Sequence, residues 1–596
     1  MTRSIAYANP LPALVALILL LLASCQPGER APDAPNDFVL TIIGTNDIHG
    51  AVAAHGGRGG LPMLSAYVNA VRELRQKDGG AVLLIDAGDM WQGTLESNLG
   101  EGREIVAAFN SMGYAAAAIG NHEFDFGPAG SNDTPVSPAD DPRGALKERA
   151  AEARFPLLAA NLVDDATGRP VDWPNVYPSV MLEVAGVQVG VIGVVTRDAF
   201  ITTLAANTGG LTVAPLADAI VAEARELRKR GASLVVVTAH AGGRCHEFAD
   251  AADLSSCEPG AEIFAVAREI SPGLVDHIVA GHVHAGLAHE VNGITITSAY
   301  SRAAAFGRTD FLIDRGTGAW RERRVFAPHT VCEWIASESK DCVAQDSPNA
   351  KAPEFAGSYL VADRAVVAAL APAIQRAAML KDTELGVTLQ SGIRLHAGVR
   401  SPLGNMFADG LLAATPGAEI AIHNSHGGLR KDLAAGALTF GSIYEVFPFS
   451  NRIVSVELTT MQLRRVFARQ LRQERGVQIS FAGLRVEAGC DGERLAIEFY
   501  RPTGERLVDD ERIIVATNDF LITGGDGIFE PVIPPEGFPY YNDGPLMRDI
   551  IIDYLQGLQQ PLDESRFSDG ENPRLQIQQD PPLSCALDGT SLAAGG

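Results

Sequence analysis

One repeated grammar constrains this chain more than anything else in it. A short apolar run stops at a small residue and is followed at once by Asp, Asn or His. It occurs five times: "FVLTIIGTNDIHG", "AVLLIDAGDMWQG", "AAAAIGNHEFD", "SLVVVTAHAGG" and "DHIVAGHVHAG". Each run has the length and composition of a buried strand. Amphipathic stretches such as "LPMLSAYVNAVRELRQ" and "LADAIVAEARELRKR" lie between several of them and read as helices. Strands alternating with helices predict an α/β fold whose polar residues gather at the strand ends.

Five of the 13 histidines fall at these ends: His49, His122, His240, His282 and His284. With Asp47, Asp89 and Asn121 they offer imidazole, carboxylate and amide oxygen together. That donor set suits Zn, Mn, Fe or Co rather than Ca. There are more candidate ligands than one tetrahedral zinc uses. Two ions sharing a bridging carboxylate, about 3.5–4 Å apart, accommodate them all.

The ordered series "TNDIHG", "DAGD", "GNHEFD", "AHAGG" and "GHVH" resembles that of the calcineurin-like metallophosphoesterases. More narrowly it resembles the secreted 5′-nucleotidases, a family that includes UDP-sugar hydrolases and 2′,3′-cyclic-nucleotide phosphodiesterases. The resemblance implies a four-layer α/β/β/α catalytic domain, a helical linker and an α/β substrate-binding domain. It implies that Asp47, His49 and His284 hold one ion, that Asn121, His240 and His282 hold the other, and that Asp89 bridges them. Some relatives carry Gln in place of His284. The resemblance gives His122 to the substrate phosphate, oriented by Asp125, with hydroxide generated at the two ions attacking phosphorus in line. Glu123 reads as a residue that fixes its loop, and Asp86 as structural.

The second half continues the resemblance with "VRSPLGNMFAD", "HNSHGGLR", "VFPFSNRIVSVEL" and "NDFLITGGDGIF". Arg400 and Arg430 match family arginines. Phe449 and Phe520 match an aromatic pair that sandwiches the base, and both sit beside turn residues. Asn451 and Asp526 match polar contacts to base or ribose. Two departures stand out: His426 replaces a common Gly, and His396 stands where some relatives have Arg, with Arg394 as a possible substitute. In the family the second domain rotates between open and closed states.

The N-terminus reads as a targeting segment. Arg3 precedes "LPALVALILLLLA", an apolar run shorter than the ~20 residues of a comfortable membrane span. It ends at Leu22-Ala23-Ser24-Cys25, which resembles a bacterial lipobox with Cys25 as the lipidation site; an ordinary cleaved signal peptide is the alternative. The expected partition is 1–25 signal peptide, 26–36 tether, 37–352 catalytic domain, 353–382 linker and 383–596 nucleotide-binding domain. The polar stretch "GSNDTPVSPADDPRG" reads as a surface loop near the site mouth. Of 7 cysteines, Cys25 leaves six. Cys245/Cys257 and Cys332/Cys342 are close pairs, and Cys490/Cys585 pair by elimination, as expected in an oxidising compartment.

The formal net charge of −24 argues against binding a nucleic-acid polymer. The expected partners are a small nucleotide and, through the anchor, a membrane, with no obligate protein partner. The reading is therefore an exported, lipid-anchored 5′-nucleotidase facing the periplasm or cell exterior. Alternatives on the same scaffold are a cyclic-nucleotide phosphodiesterase, a UDP-sugar hydrolase or a sulfur-ester hydrolase. A non-catalytic nucleotide-binding lipoprotein is the alternative of another class.

Overall fold

The computed structural model describes residues 37–130, 132–396, 400–473, 476–535, 537–539, 544–570, 573–579 and 581–585. Cys25 and the proposed signal segment lie outside them. Strand β1 (Asp37–Thr45) is parallel to β2 (Ala81–Asp86), which is parallel to β3 (Ala116–Ala118). They belong to a seven-stranded sheet, whose other side is the antiparallel pair Ala305–Asp314 and Trp320–Thr330. Strand β4 (Leu234–His240) is parallel to β5 (His277–Ala280) and to Val187–Val195 within a six-stranded sheet.

The two sheets face each other across one apolar layer. Leu40, Ile42, Leu83 and Ile85 from the first pack with Val189, Val191, Val236 and Val279 from the second. Alternating side chains of β1 and β2 reach the other face, where Ile43 and Leu84 meet the helices Leu61–Lys77 and Arg103–Met112. Helices Leu216–Lys229 and Glu262–Glu269 cover the far side of the second sheet. This is the expected α/β/β/α order. Strands buried on both faces are why the runs read as nearly continuous apolar sequence.

Helix α1 (Arg364–Lys381) joins the halves and is packed rather than free. Val366 and Leu370 enter the catalytic core, and Ala377 packs with Leu95 and Tyr444. Arg376 pairs with Glu104, and Lys381 with Glu96 at 2.8 Å. The second half is also α/β, built on a four-stranded sheet that includes Ile420–His423 and Arg512–Asn518. Two of its helices begin at clear caps: Ser401 accepts from Gly404, and Thr459 forms a capping box with Gln462. The disulfides are Cys245–Cys257, Cys332–Cys342 and Cys490–Cys585, as expected.

Candidate functional site

Strands β1, β2 and β3 run parallel in one sheet, and β4 and β5 run parallel in the other. The turns after all five ends converge. Asp47, His49, Asp89, His282 and His284 have φ of 51°, 49°, 58°, 73° and 56°. That left-handed region is sparsely used by residues other than Gly, and Asp and His tolerate it better than most. Five such residues in one place are strained backbone, held by the surrounding loops. Asp47 N donates to Gly88 O and His49 N to Asp89 O, both at 2.9 Å, so the first two turns are sewn together.

Side-chain nitrogens and oxygens then meet in two groups. In the first, His49 Nε2 lies 2.9 Å from His284 Nε2, which is 3.3 Å from Asp47 Oδ1. In the second, His240 Nε2 lies 3.0 Å from Asn121 Oδ1, 3.3 Å from His282 Nδ1 and 3.2 Å from Asp89 Oδ2. Asp89 Oδ2 is also 3.8 Å from His49 Nε2, so it stands between the groups.

Partners outside the cluster set the tautomers. His49 Nδ1 faces Gln92 O at 2.9 Å, and His240 Nδ1 faces Ala87 O at 2.8 Å. A carbonyl only accepts, so each Nδ1 carries the proton and each Nε2 turns a lone pair to the centre. Lone pairs and carboxylates packed together repel unless a cation lies among them. The carboxylates of Asp89, Asp47 and Glu123 outweigh burial at His240 and raise its pKa, so this point of the cluster attracts positive charge. Donor chemistry and electrostatics both fit divalent metal.

Glu123 holds this geometry from behind. Its carboxylate accepts from Asp89 N and Met90 N at 2.8 Å and from Gly120 N at 2.7 Å. Asp86 accepts from Gly88 N at 2.9 Å and from the Thr45 hydroxyl at 2.6 Å, a structural post under the second turn. His122 opens a short 3-10 turn and its N donates to Asp89 Oδ1 at 2.9 Å. Its Nδ1 lies 2.6 Å from Asp125, whose other oxygen accepts from Thr203 at 2.7 Å. Burial alone favours neutral imidazole, but the carboxylates of Asp125 and Asp89 outweigh it and raise the His122 pKa.

Asp89, Asn121, His122, Asp125, His282 and His284 border a cavity of about 200 Å³ that is lined from both halves of the chain. Arg430, Phe449, Asn451, Phe520 and Asp526 line it from the second half. The Arg430 guanidinium lies 4.9 Å from the Phe449 ring centre, and the His122 ring 6.1 Å from it. Asn451 donates to Asp519 at 3.2 Å, and Asp526 accepts from Asn424 at 2.8 Å.

Arg400 falls elsewhere. It immediately precedes Ser401, the N-cap of helix Pro402–Ala414, and borders a separate depression with His396 and Arg394. Arg400 therefore does not border the cavity that Arg430 lines in this structure. Arg394, the expected substitute for the arginine that some relatives carry at the His396 position, forms a bidentate pair with Glu564. His426 is exposed, and its neighbour Gly427 faces the cavity instead. Sequence reasoning missed Gln92, Asn98, Asp133, Thr203, Asn424 and Ser450, all of which line the cavity. Gln92, Asp133, Asn424 and Ser450 sit inside stretches already singled out, without being marked individually; nothing local marks Asn98 and Thr203.

Two families match in order: calcineurin-like phosphoesterase over residues 40–286, and the 5′-nucleotidase C-terminal domain over residues 384–532. The chain is 25% identical to the 5′-nucleotidase of Vibrio cholerae, covering 93% of this chain and 97% of that one. It is also 25% identical to Endonuclease YhcR of Bacillus subtilis, over 91% of this chain but 42% of that longer protein. Among solved structures, the 5′-nucleotidase precursor of Thermus thermophilus aligns with a TM-score of 0.67 at 22% identity, over 91% of this chain and all of that one. Strand-end motifs, two-layered sheets and both family matches agree: the chain belongs to the calcineurin-like phosphoesterases that carry a 5′-nucleotidase C-terminal domain, and it is a hydrolase of that family.

Proposed function

We propose that the protein releases phosphate from nucleoside 5′-monophosphates at a dinuclear metal site. The observation that carries this reading is one cavity bordered by members of two groups of ligand atoms, with Asp89 standing between the groups, by His122 with Asp125, and by two phenylalanines of the second half. Asp47, His49 and His284 would hold one divalent ion, Asn121, His240 and His282 the other, with Asp89 common to both. Zn, Mn, Co and Fe all suit these donors. Such a pair supplies Lewis acidity and lowers the pKa of bound water towards roughly 7.

The chain's own residues do the rest. His122, its Nδ1 held by Asp125, presents Nε2 to the phosphoryl group and donates to the oxygen on which charge develops. Phe449 and Phe520 stack on the base, and Asn451 and Asp526 bind its polar edge or the ribose. A nucleotide bound this way spans both halves, so its distant base helps to place the phosphorus. The cavity is small and the chain strongly acidic, which favours a mononucleotide over a polymer. A non-catalytic binder has no use for the His122–Asp125 pair.

The working partition is a catalytic domain at 37–352, a linker at 353–382 and a nucleotide-binding domain at 383–596. We place the protein outside the cytoplasm, anchored through Cys25. Three disulfides favour an oxidising compartment, and among the described residues no helix is long and apolar enough to cross a membrane. Labelling with a fatty-acid analogue should mark the wild type but not Cys25→Ala; equal labelling refutes the anchor.

The deciding assay follows cleavage of AMP and UMP by phosphate release, of UDP-glucose by formation of UMP and glucose 1-phosphate, and of 2′,3′-cyclic AMP by formation of adenosine monophosphate, each with chelator and after metal is restored. Monophosphates should be the best substrates, and chelation should abolish their turnover reversibly. A clear preference for the cyclic ester or the sugar nucleotide would replace the monoesterase reading. Turnover indifferent to chelator would remove the metal centre from it.

A further inference from the structure

Four carboxylates line the cavity: Asp89, Asp125, Asp526 and Asp133. Asp89 lies among the candidate ligands, Asp125 holds His122, and Asp526 accepts from Asn424. The fourth, Asp133, comes from the polar insertion that follows the His122 turn. We propose that Asp133 reads the substrate's base, accepting a hydrogen bond from an exocyclic amino group and so favouring adenine and cytosine over bases without that amine. This inference rests on the nucleotide reading given above.

Asp133 is a placed residue. Buried Asn207 donates from one amide nitrogen to Phe124 O and Asp133 O, both at 2.8 Å, tying the insertion to the His122 turn. Gly127, at φ 58°, lets the chain close there: a Cβ would lie 2.4 Å from Asp133 O. The Asp133 side chain meets the Ser450 hydroxyl, between Phe449 and Asn451 in sequence. The carboxylate therefore stands beside the loop that carries half of the proposed base clamp.

Gln92 also lines the cavity and is tied to the same loop. Gln92 is 3% exposed, and its Nε2 donates to Pro448 O at 3.2 Å. Its Oε1 is buried with no hydrogen-bond partner. A stacked base buries its edge, and an amino group there loses water, so it is favoured only where an acceptor replaces it. Ionised aspartate is the acceptor-only side chain for that task. Burial, with Asp125 and Glu101 nearby, lifts the Asp133 pKa to about 6 against the pull of Ser450 and Arg548. It is therefore ionised in a mildly alkaline assay.

The test compares kcat/KM of the metal-loaded enzyme at about pH 8, where Asp133 is ionised, on two matched pairs. AMP and purine riboside 5′-monophosphate differ by the 6-amino group; CMP and UMP differ at the 4-amino position. Wild type should favour the amino member by roughly 10-fold, the value of a hydrogen bond to a charged group. In Asp133→Ala the ratio should fall to about 1, with bound metal per chain reporting that the fold persists. Ser450→Ala should keep the preference, since the carboxylate remains. No preference in wild type, a preference that survives Asp133→Ala, or its full loss in Ser450→Ala would each overturn the proposal. The last would make Asp133 a bridge between the halves. Failure of wild type to hydrolyse any nucleotide would overturn the substrate reading itself.

Discussion

Adding one methyl group at Gly120 should disable the site without replacing any proposed ligand. Gly120 precedes Asn121, and its backbone approaches the Asp89 turn closely. A Cβ built there would lie 2.2 Å from Asp89 Oδ1, 2.6 Å from Asp89 N and 2.9 Å from Glu123 Oε2. Ordinary contact starts near 3.4 Å, so the carboxylate or the turn must move by about 1 Å. Little there can yield. Asp89 is already at φ 58°, and its N–H is bound to Glu123 at 2.8 Å. A 1 Å misplacement of a reacting geometry can cost about 100-fold in rate. Overpacking itself typically costs about 1–3 kcal/mol of stability.

Gly120→Ala should therefore bind less metal after dialysis, turn over at least about 100-fold more slowly even at saturating metal, and melt lower. Gly209→Ala is the matched control, because its Cβ meets nothing within 4 Å and its φ is −53°. Metal analysis, steady-state rates and thermal unfolding on both variants separate the effects. Unchanged metal content and turnover in Gly120→Ala would refute the placement of Asp89 against Gly120 and its role as the shared ligand.

Phe449→Ala should lower kcat/KM for nucleotides by roughly 5- to 150-fold, the equivalent of about 1–3 kcal/mol of stacking. p-Nitrophenyl phosphate should lose far less, and equal losses for both would mean that Phe449 supports the fold. Buried His423 packs on Phe407 and Phe447, and burial lowers its pKa to about 3. The unfolded chain takes up a proton near pH 6.5 and the folded one only near 3, so stability falls across that window as pH drops. The slope is about 1.4 kcal/mol per pH unit for this group. Urea unfolding in chelator should show a shallower acid loss for His423→Leu, and an identical slope would refute the account.

How far the sequence carried depends on what positions each residue. Asp47, His49, Asp89, His282 and His284 follow strand ends within a few positions, and their left-handed turns suit the residue types found there. The apolar runs mark the strands, and parallel pairing brings their ends to one edge, so periodicity and residue type suffice. The four-layer order is legible for the same reason, since strands buried on both faces need helices on both sides.

The substrate wall obeys a different rule. Asp133 reaches Ser450, and Gln92 reaches Pro448, across more than 300 residues of chain. Such contacts depend on how an insertion folds back and how two domains meet, and no local pattern encodes either. Arg400 makes the same point in reverse. Its motif resembles a binding arginine, yet its place before the helix N-cap puts it at another depression. Chemistry fixed by strand ends is thus readable one segment at a time. The far wall of the cavity is not, because it forms where an insertion of one half meets a loop of the other.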